Sequence, residues 1–328
     1  MQHINWGVLG CGHIAQTFVQ SMQDVTDASI IACAASHIDR ANSFAQSHNI
    51  ENSYGSYEAM LCDRNIHAIY IATTHNFHFE QIKLCLSHGK HVLCEKPITL
   101  NARQAKEVYT LAANHNLLLI EAVWTRFLPA TLALQSLLEN GTIGKIKSVH
   151  ANFSLNKKLP DTHRLRNKKL AGGALLDLGI YPITMADIVF AKTPSKISSS
   201  AVMTNTGVDE NSFYTLEYDC GGVAQLSAGF TMSGPTYALI SGDKGSINVP
   251  FFLGAKGFEL TLEGEQTVFH EYDFAEHQNF TFEIQHMTNC LKTDTCHSNI
   301  MPSATSMRVM NIMDTIRGQW SLVYDSEK

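Results

Sequence analysis

The chain of 328 residues lacks any Cys-x-x-Cys pair although it carries 8 cysteines. The thiols at 11, 33, 62, 85, 94, 220, 290 and 296 are dispersed, and several lie in apolar runs such as Ile31-Ala32-Cys33-Ala34. That pattern excludes a disulfide framework or a zinc ribbon and predicts reduced, mostly buried thiols. Charge is also scarce, at 16% of residues. With a net charge of -6 and no Lys/Arg run beyond the pairs Lys157, Lys158 and Lys168, Lys169, there is no basic field for nucleic acid. No segment approaches about 18 uninterrupted apolar residues. The N-terminus opens on a strand pattern and not on a basic leader. A cytoplasmic chain with no membrane or nucleic-acid partner is expected. Internal repeats and low-complexity tracts are lacking too, which excludes a solenoid.

What the chain does have is apolar material, 45% of its residues. Its length exceeds what one compact core usually holds, so two domains are expected. From residue 4 to about 122, short apolar runs alternate with amphipathic stretches: strands at Ile4 to Leu9, Ser29 to Ala35, Ala68 to Ala72, His91 to Cys94 and Leu117 to Glu121, with helices intervening. Such alternation predicts a Rossmann-type doubly wound parallel sheet with helices on both faces, assigned to residues 1–122. Beyond Ala130 the texture changes to period-2 runs separated by turn residues, as in Ser212 to Tyr218, Cys220-Gly221-Gly222 and Val223 to Phe230. Residues 123–328 therefore read as an α/β domain with a large open, mostly antiparallel sheet. One helix is inserted from about Ala174 to Phe190, and a last helix near Ala304 to Gly318 is expected to close the chain or pack back on the first domain.

Gly10-Cys11-Gly12-His13-Ile14-Ala15 follows the first strand at once and opens a helix. This is the G-x-G-x-x-A dinucleotide fingerprint, in which Gly10 makes the turn, Gly12 admits pyrophosphate and Ala15 permits close helix packing. Amides of the helix start, including those of His13 and Ile14, then hold the anion. An acid at the end of the second strand would bind a ribose 2′-hydroxyl. Ser36 stands there instead, with Arg40 one turn into the next helix, so NADP is expected over NAD, with NAD possible. Thr73-Thr74-His75-Asn76-Phe77-His78 follows the fourth strand on the carboxyl edge where ligands bind. His75 and His78 lack a third metal donor at a suitable spacing, so hydrogen bonding to cofactor or substrate is expected and no metal. Glu95-Lys96-Pro97 comes directly after a strand, placing Lys96 at the same edge.

With Gly172-Gly173-Ala174-Leu175-Leu176-Asp177-Leu178-Gly179-Ile180-Tyr181-Pro182, these motifs resemble those of the Gfo/Idh/MocA oxidoreductases. Glu121-Ala122-Val123-Trp124-Thr125-Arg126-Phe127 is similar to the branch of dimeric dihydrodiol dehydrogenases and NADP-dependent D-xylose dehydrogenases. The resemblance runs from residue 4 to about 185. It implies hydride transfer between a nicotinamide and a hydroxyl or carbonyl carbon of a sugar-like polyol or cyclic diol. It implies a homodimer paired through the open sheet, an active site between the domains of one chain, and catalytic positions at Lys96, Asp177 and Tyr181. Trp124, Arg126, His75 and His78 line the nicotinamide and substrate pocket by the same resemblance, with Glu95 among the cofactor contacts. Ser36 departs from it, since that branch often has Arg there.

Asp177 and Tyr181 are four residues apart on one predicted helix and share a face. Oxidising a carbinol carbon requires its hydroxyl proton to leave, and an ordinary phenol is a poor base at neutral pH. A Lys96 ammonium would favour phenolate, while Asp177 would orient the substrate or the lysine. Pro182 is expected to bend the helix beside them. Two other readings belong to the same motifs: a dinucleotide-binding regulator without turnover, and a lyase or glycosidase with an internal hydride loop. The complete Lys96, Asp177, Tyr181 set favours the dehydrogenase over the first, and net NADPH turnover separates it from the second.

Overall fold

The structure, a computed structural model, describes residues 3–327. The chain divides into two compact units, residues 1–124 with 275–306, and residues 125–274 with 307–328.

In the first unit the order is β1 (Ile4–Leu9), α1 (His13–Met22), β2 (Ala28–Ala34), α2 (Ile38–His48), β3 (Asn52–Tyr54), α3 (Tyr57–Leu61), β4 (Ala68–Ile71), α4 (His78–Ser87), β5 (His91–Glu95), α5 (Ala102–Asn114) and β6 (Leu119–Ala122). The six strands pair in parallel in the order β3-β2-β1-β4-β5-β6. Strand order reverses between β1 and β4, and at such a switch point the carboxyl ends of the strands leave a crevice for a dinucleotide. Both faces of this sheet are covered, so its strands read as continuous apolar runs; all four residues of β4 are buried. Beneath β1 and β4, Phe18 of α1 stacks on Tyr70 at 3.8 Å between ring centroids.

The second unit opens with α6 (Pro129–Glu139), β7 (Ile146–Ser154) and α7 (Ile180–Phe190). It continues through β8 (Lys196–Met203), β9 (Asp209–Glu217), β10 (Val223–Gly229), β11 (Tyr237–Gly242), β12 (Gly245–Pro250), β13 (Gly257–Leu262) and β14 (Val268–Glu271). These eight strands form one sheet in the order β14-β13-β12-β11-β7-β10-β9-β8, antiparallel except for the pair β7 and β10. One face is packed by α7, nearly all of whose residues are buried. The stretch Lys168–Phe190 is apolar enough to cross a bilayer by length and composition, but 94% of its apolar window is buried inside the chain. The other face shows alternating partly exposed residues, among them Phe213, 43% exposed.

Two expectations change here. The boundary lies at Trp124/Thr125, two residues from the expected 122/123, but residues 275–306 belong to the first unit instead of the second. They carry α8 (Thr281–Lys292), which packs on α1: Ser21 Oγ donates to the His277 carbonyl at 2.5 Å, and Thr281 Oγ1 to the Ser21 carbonyl at 2.7 Å. Helix α8 thus adds to the Rossmann layer, and the start of the last helix, α9 (Ser303–Gln319), also packs back on it as expected: Tyr109 donates to Ser306 Oγ at 2.8 Å and Ser306 Oγ to Glu121 Oε2 at 2.5 Å, while the rest of α9 belongs to the second unit. The thiols are all free, yet only Cys33, Cys85 and Cys94 are buried, while Cys62 and Cys296 are exposed. An apolar neighbour in sequence does not bury a residue at a helix end or in a loop.

Candidate functional site

In the first unit, the turn after β1 is shaped for close approach. Gly10 has φ +99°, and a Cβ there would lie 2.9 Å from Thr73 Cγ2, so any other residue is strained and obstructed. A Cβ on Gly12 would meet nothing nearer than Ala72 O at 4.0 Å. That is room for a ligand. Gly12 caps α1 without a side chain, and no acidic residue occupies the helix's first turn. The first amides, at His13 and Ile14, thus carry the positive end of the helix dipole unopposed by any acid. The cradle fits a dinucleotide pyrophosphate.

Arg40 is exposed on α2 and lines a cleft of about 390 Å³ with Cys11, Gln16, Asp39, Ser43 and Phe44. Ser36 is exposed just past β2. At the end of β4, Thr73 Oγ1 donates to Gln81 Oε1 at 2.5 Å and Thr74 Oγ1 to Asn76 Oδ1 at 2.7 Å, while His75 is buried. His78 has a different setting from the cofactor or substrate contact expected of it. Its ring is fully buried, with Nδ1 2.9 Å from the Pro97 carbonyl and Nε2 3.2 Å from the Thr73 carbonyl. Burial holds its pKa down to about 4, with the Lys96 charge adding to the effect. The ring is therefore neutral at pH 7, with one N–H to donate to one of these two carbonyls, and it packs between the segment after β5 and the end of β4.

Glu95, the last residue of β5, is buried. Tyr70 donates to its Oε1 at 2.5 Å, and the Lys96 amide to its Oε2 at 3.2 Å. The Lys96-Pro97 peptide is cis. Buried Glu283 of α8 faces this carboxylate electrostatically, and burial together with the Glu95 charge drives its carboxyl well above the usual range. Trp124 stacks obliquely on Phe280 at 5.8 Å.

In the second unit, Asp177 and Tyr181 are buried, at 8% and 7% exposure. Leu175–Gly179 is a single π turn that runs into α7, where a continuous helix from Ala174 was expected. In i→i+5 bonding four residues make slightly less than one turn, so Asp177 and Tyr181 still share a face. Pro182 follows this wide turn directly, inside a helical run continuous from Ala174, and a missing backbone N–H and a π turn are both recognised sites where the helix ladder is locally altered.

Beneath the turn, buried Asp209 of β9 accepts from the Leu175 amide at 2.7 Å and from Ser212 Oγ at 2.9 Å. Gly173 (φ +124°) has no room for a side chain, because a Cβ would sit 2.3 Å from Asp209 Oδ1. Burial pushes the Asp209 carboxyl up to about 6 against these hydrogen bonds. Above it, Arg164 grips Asp177 with both ends of its guanidinium, at 3.0 and 3.3 Å. Tyr181 meets Phe153 edge-on at 5.8 Å. Arg126, expected at the nicotinamide, is buried and paired with Asp187 at 3.1 Å, as is Arg308 at 2.8 Å.

Sequence reasoning missed Arg164, Asp209, Tyr70 and Glu283. Arg164 stands thirteen positions before Asp177, and nothing in that spacing reveals the pairing. Asp209 and Tyr70 depend on strand order, and Glu283 on which sheet α8 covers.

Comparison with known proteins fits this geometry. Residues 4–122 match the model of the GFO_IDH_MocA oxidoreductase family with its NAD-binding Rossmann fold, and residues 131–248 match the GFO/IDH/MocA C-terminal domain. The trans-1,2-dihydrobenzene-1,2-diol dehydrogenase of Xenopus laevis is 34% identical, over 97% of this chain and 98% of its own. That of Mus musculus is 33% identical over 99% of both. Among solved structures, a 3-ketoreductase from Actinomadura kijaniata in complex with NADP and TDP-benzene superposes with a TM-score of 0.85 at 25% identity, covering 96% of this chain and 97% of that one. An aldose-aldose oxidoreductase from Caulobacter crescentus complexed with glycerol shares the fold, with a TM-score of 0.88 at 17% identity and 97% coverage of both chains.

Proposed function

The chain belongs to the GFO/IDH/MocA family of NAD(P)-binding oxidoreductases, and on that premise we propose that it is an NADP-preferring dehydrogenase acting on a carbinol carbon of a polyol or cyclic vicinal diol. The observation that carries this reading is the buried turn where a phenol, Tyr181, and a paired carboxylate, Asp177, share one face. When bound, the nicotinamide accepts or supplies the hydride. Tyr181 takes the hydroxyl proton in oxidation and returns it in reduction. Lys96 supplies positive charge that favours phenolate and polarises a carbonyl. Asp177 accepts from a hydroxyl of the substrate and sets its orientation.

Preference for NADP is supported by exposed Arg40 in its cleft and by Ser36 where an acid would select a ribose hydroxyl. The chain works as a homodimer in this reading, because Phe213, Val202 and Met203 are exposed on β9 and β8 of the open sheet. The test is reduced-nicotinamide absorbance with trans-1,2-dihydrobenzene-1,2-diol, D-xylose and an anhydrosugar, each with NADP⁺ and NAD⁺. Turnover of none of them with either cofactor refutes the proposal.

A further inference from the structure

We propose that Arg164 is a positioning residue that keeps Asp177 ionised and fixed in one orientation, so that the carboxylate serves only as a hydrogen-bond acceptor. The inference rests on the dehydrogenase reading and deepens it.

The geometry is that of a fork on a carboxylate. Arg164 Nη1 donates to Asp177 Oδ1 at 3.0 Å and Nη2 to Oδ2 at 3.3 Å, so one planar group engages both oxygens. Such pairing fixes direction as well as charge. The Asp177 side chain is 12% exposed, and Arg164 approaches from the open side at 46%. A carboxylate this enclosed would tend toward its neutral form without a partner.

The arm that delivers Arg164 is itself rigid. Residues 164–166 form a 3-10 turn whose Leu165 carbonyl accepts from the Gly173 amide at 2.9 Å, while the Asn167 carbonyl accepts from the Gly172 amide at 2.9 Å. Gly172 lies so close that a Cβ would stand 2.5 Å from the Arg164 carbonyl oxygen. The loop before the turn and the turn itself are thus one backbone unit, and Arg164 reaches the residue it serves thirteen positions further along the chain.

Within the second unit, the other titratable groups on the elements packed against the turn are the following. His163 lies on the same loop, and its pKa is lowered by burial and by the charges of Arg164 and Lys157, so it is a weak source of positive charge at pH 7. From β9 come Asp209 and Tyr214, both buried and neither cationic, and Glu210, which is taken by Arg166 at 3.3 Å. Strand β10 carries no titratable side chain, and β7 carries His150 and Lys147, the latter beside Asp243 at 3.7 Å. Tyr181 stands on the same face of the turn.

The test compares wild type with Arg164→Gln and Arg164→Lys in NADP-linked turnover of trans-1,2-dihydrobenzene-1,2-diol across pH. Without the guanidinium, Asp177 protonates at higher pH. The acid limb of the kcat profile should therefore move up by about one unit in Arg164→Gln, the low end of the effect of an opposite charge, because Arg164 is half exposed. Arg164→Lys, which keeps the charge but not the fork, should restore part of the shift. NADPH affinity should stay unchanged. Coincident acid limbs in wild type and Arg164→Gln overturn the proposal.

A readout without turnover separates this from failure of the dehydrogenase reading. The Tm difference between wild type and Arg164→Gln should shrink as pH falls, because a carboxylate held ionised stabilises only above its own titration. A difference independent of pH overturns the proposal even if no substrate is found.

Discussion

The phenol of Tyr70, at the centre of the parallel sheet, donates to the carboxylate of Glu95 on the neighbouring strand at 2.5 Å. Burial and the Glu95 charge both keep that phenol protonated, with its pKa well above the usual value. Glu95 is followed at once by Lys96, whose amide takes the other carboxylate oxygen. The strand core and the segment bearing the lysine are thus joined by one side chain. Tyr70→Phe should cost about 1 to 3 kcal/mol, the usual penalty for leaving a buried acceptor without its donor. Denaturant unfolding measures it, and dinucleotide binding should weaken in the same variant.

Tyr181→Phe should reduce turnover about 10²- to 10⁴-fold, the worth of a positioned acid or base, with NADPH affinity little changed. Lys96→Met should do likewise. The double variant should lose little more than either single one, because residues acting as a unit are strongly non-additive. Nearly normal turnover in Tyr181→Phe would assign the proton to another group, with His75 the next candidate.

Arg40→Ala should weaken NADP binding by about tenfold or more and leave NAD binding nearly unchanged, since a charged hydrogen bond to a phosphate contributes about 1.5 to 3 kcal/mol. Fluorescence titration with both reduced dinucleotides decides it. Equal losses for the two would show that Arg40 does not read the 2′-phosphate.

Asp209 makes stability depend on pH in the direction opposite to most carboxylates. Its folded pKa is raised, from 3.8 to about 6, by burial. The folded state therefore holds the proton more tightly than the unfolded one. This contribution is fully present below about pH 4 and is lost as pH rises to about 6, by roughly 3 kcal/mol at most. Asp209→Asn keeps an oxygen acceptor for the Leu175 amide and removes the titration. The Tm of wild type should fall relative to that variant across this window; a constant difference would show that Asp209 does not titrate there.

How much was legible beforehand depends on how local each feature is. The fingerprint at Gly10 to Ala15, the alternation that gives the six parallel strands, and Lys96 at the end of a strand are set by residues a few positions apart, and pattern alone places them. Asp177 and Tyr181 share a face whether their turn is α or π, so the expectation was insensitive to the error in helix type. Arg164 was not legible, because its pairing is made by a loop with no periodicity. The setting of His78 was not legible either, since both carbonyls at its ring belong to other segments. Residues 281–292 are amphipathic like any surface helix, and nothing local says which sheet they cover.

That last assignment has a consequence for how the chain is made and how it can be cut. Because α8 packs on α1 yet follows the whole eight-stranded sheet, the dinucleotide unit is complete only when residue 306 has been synthesised. A ribosome that has released β6 has released a Rossmann sheet with one helix missing and the flank of α1 uncovered. Folding of the first unit must therefore wait for the second to pass, and a gene fragment ending at the apparent domain boundary encodes an unfinished layer. Grafting the cofactor module onto another scaffold requires two segments, residues 1–124 and 275–306, moved together.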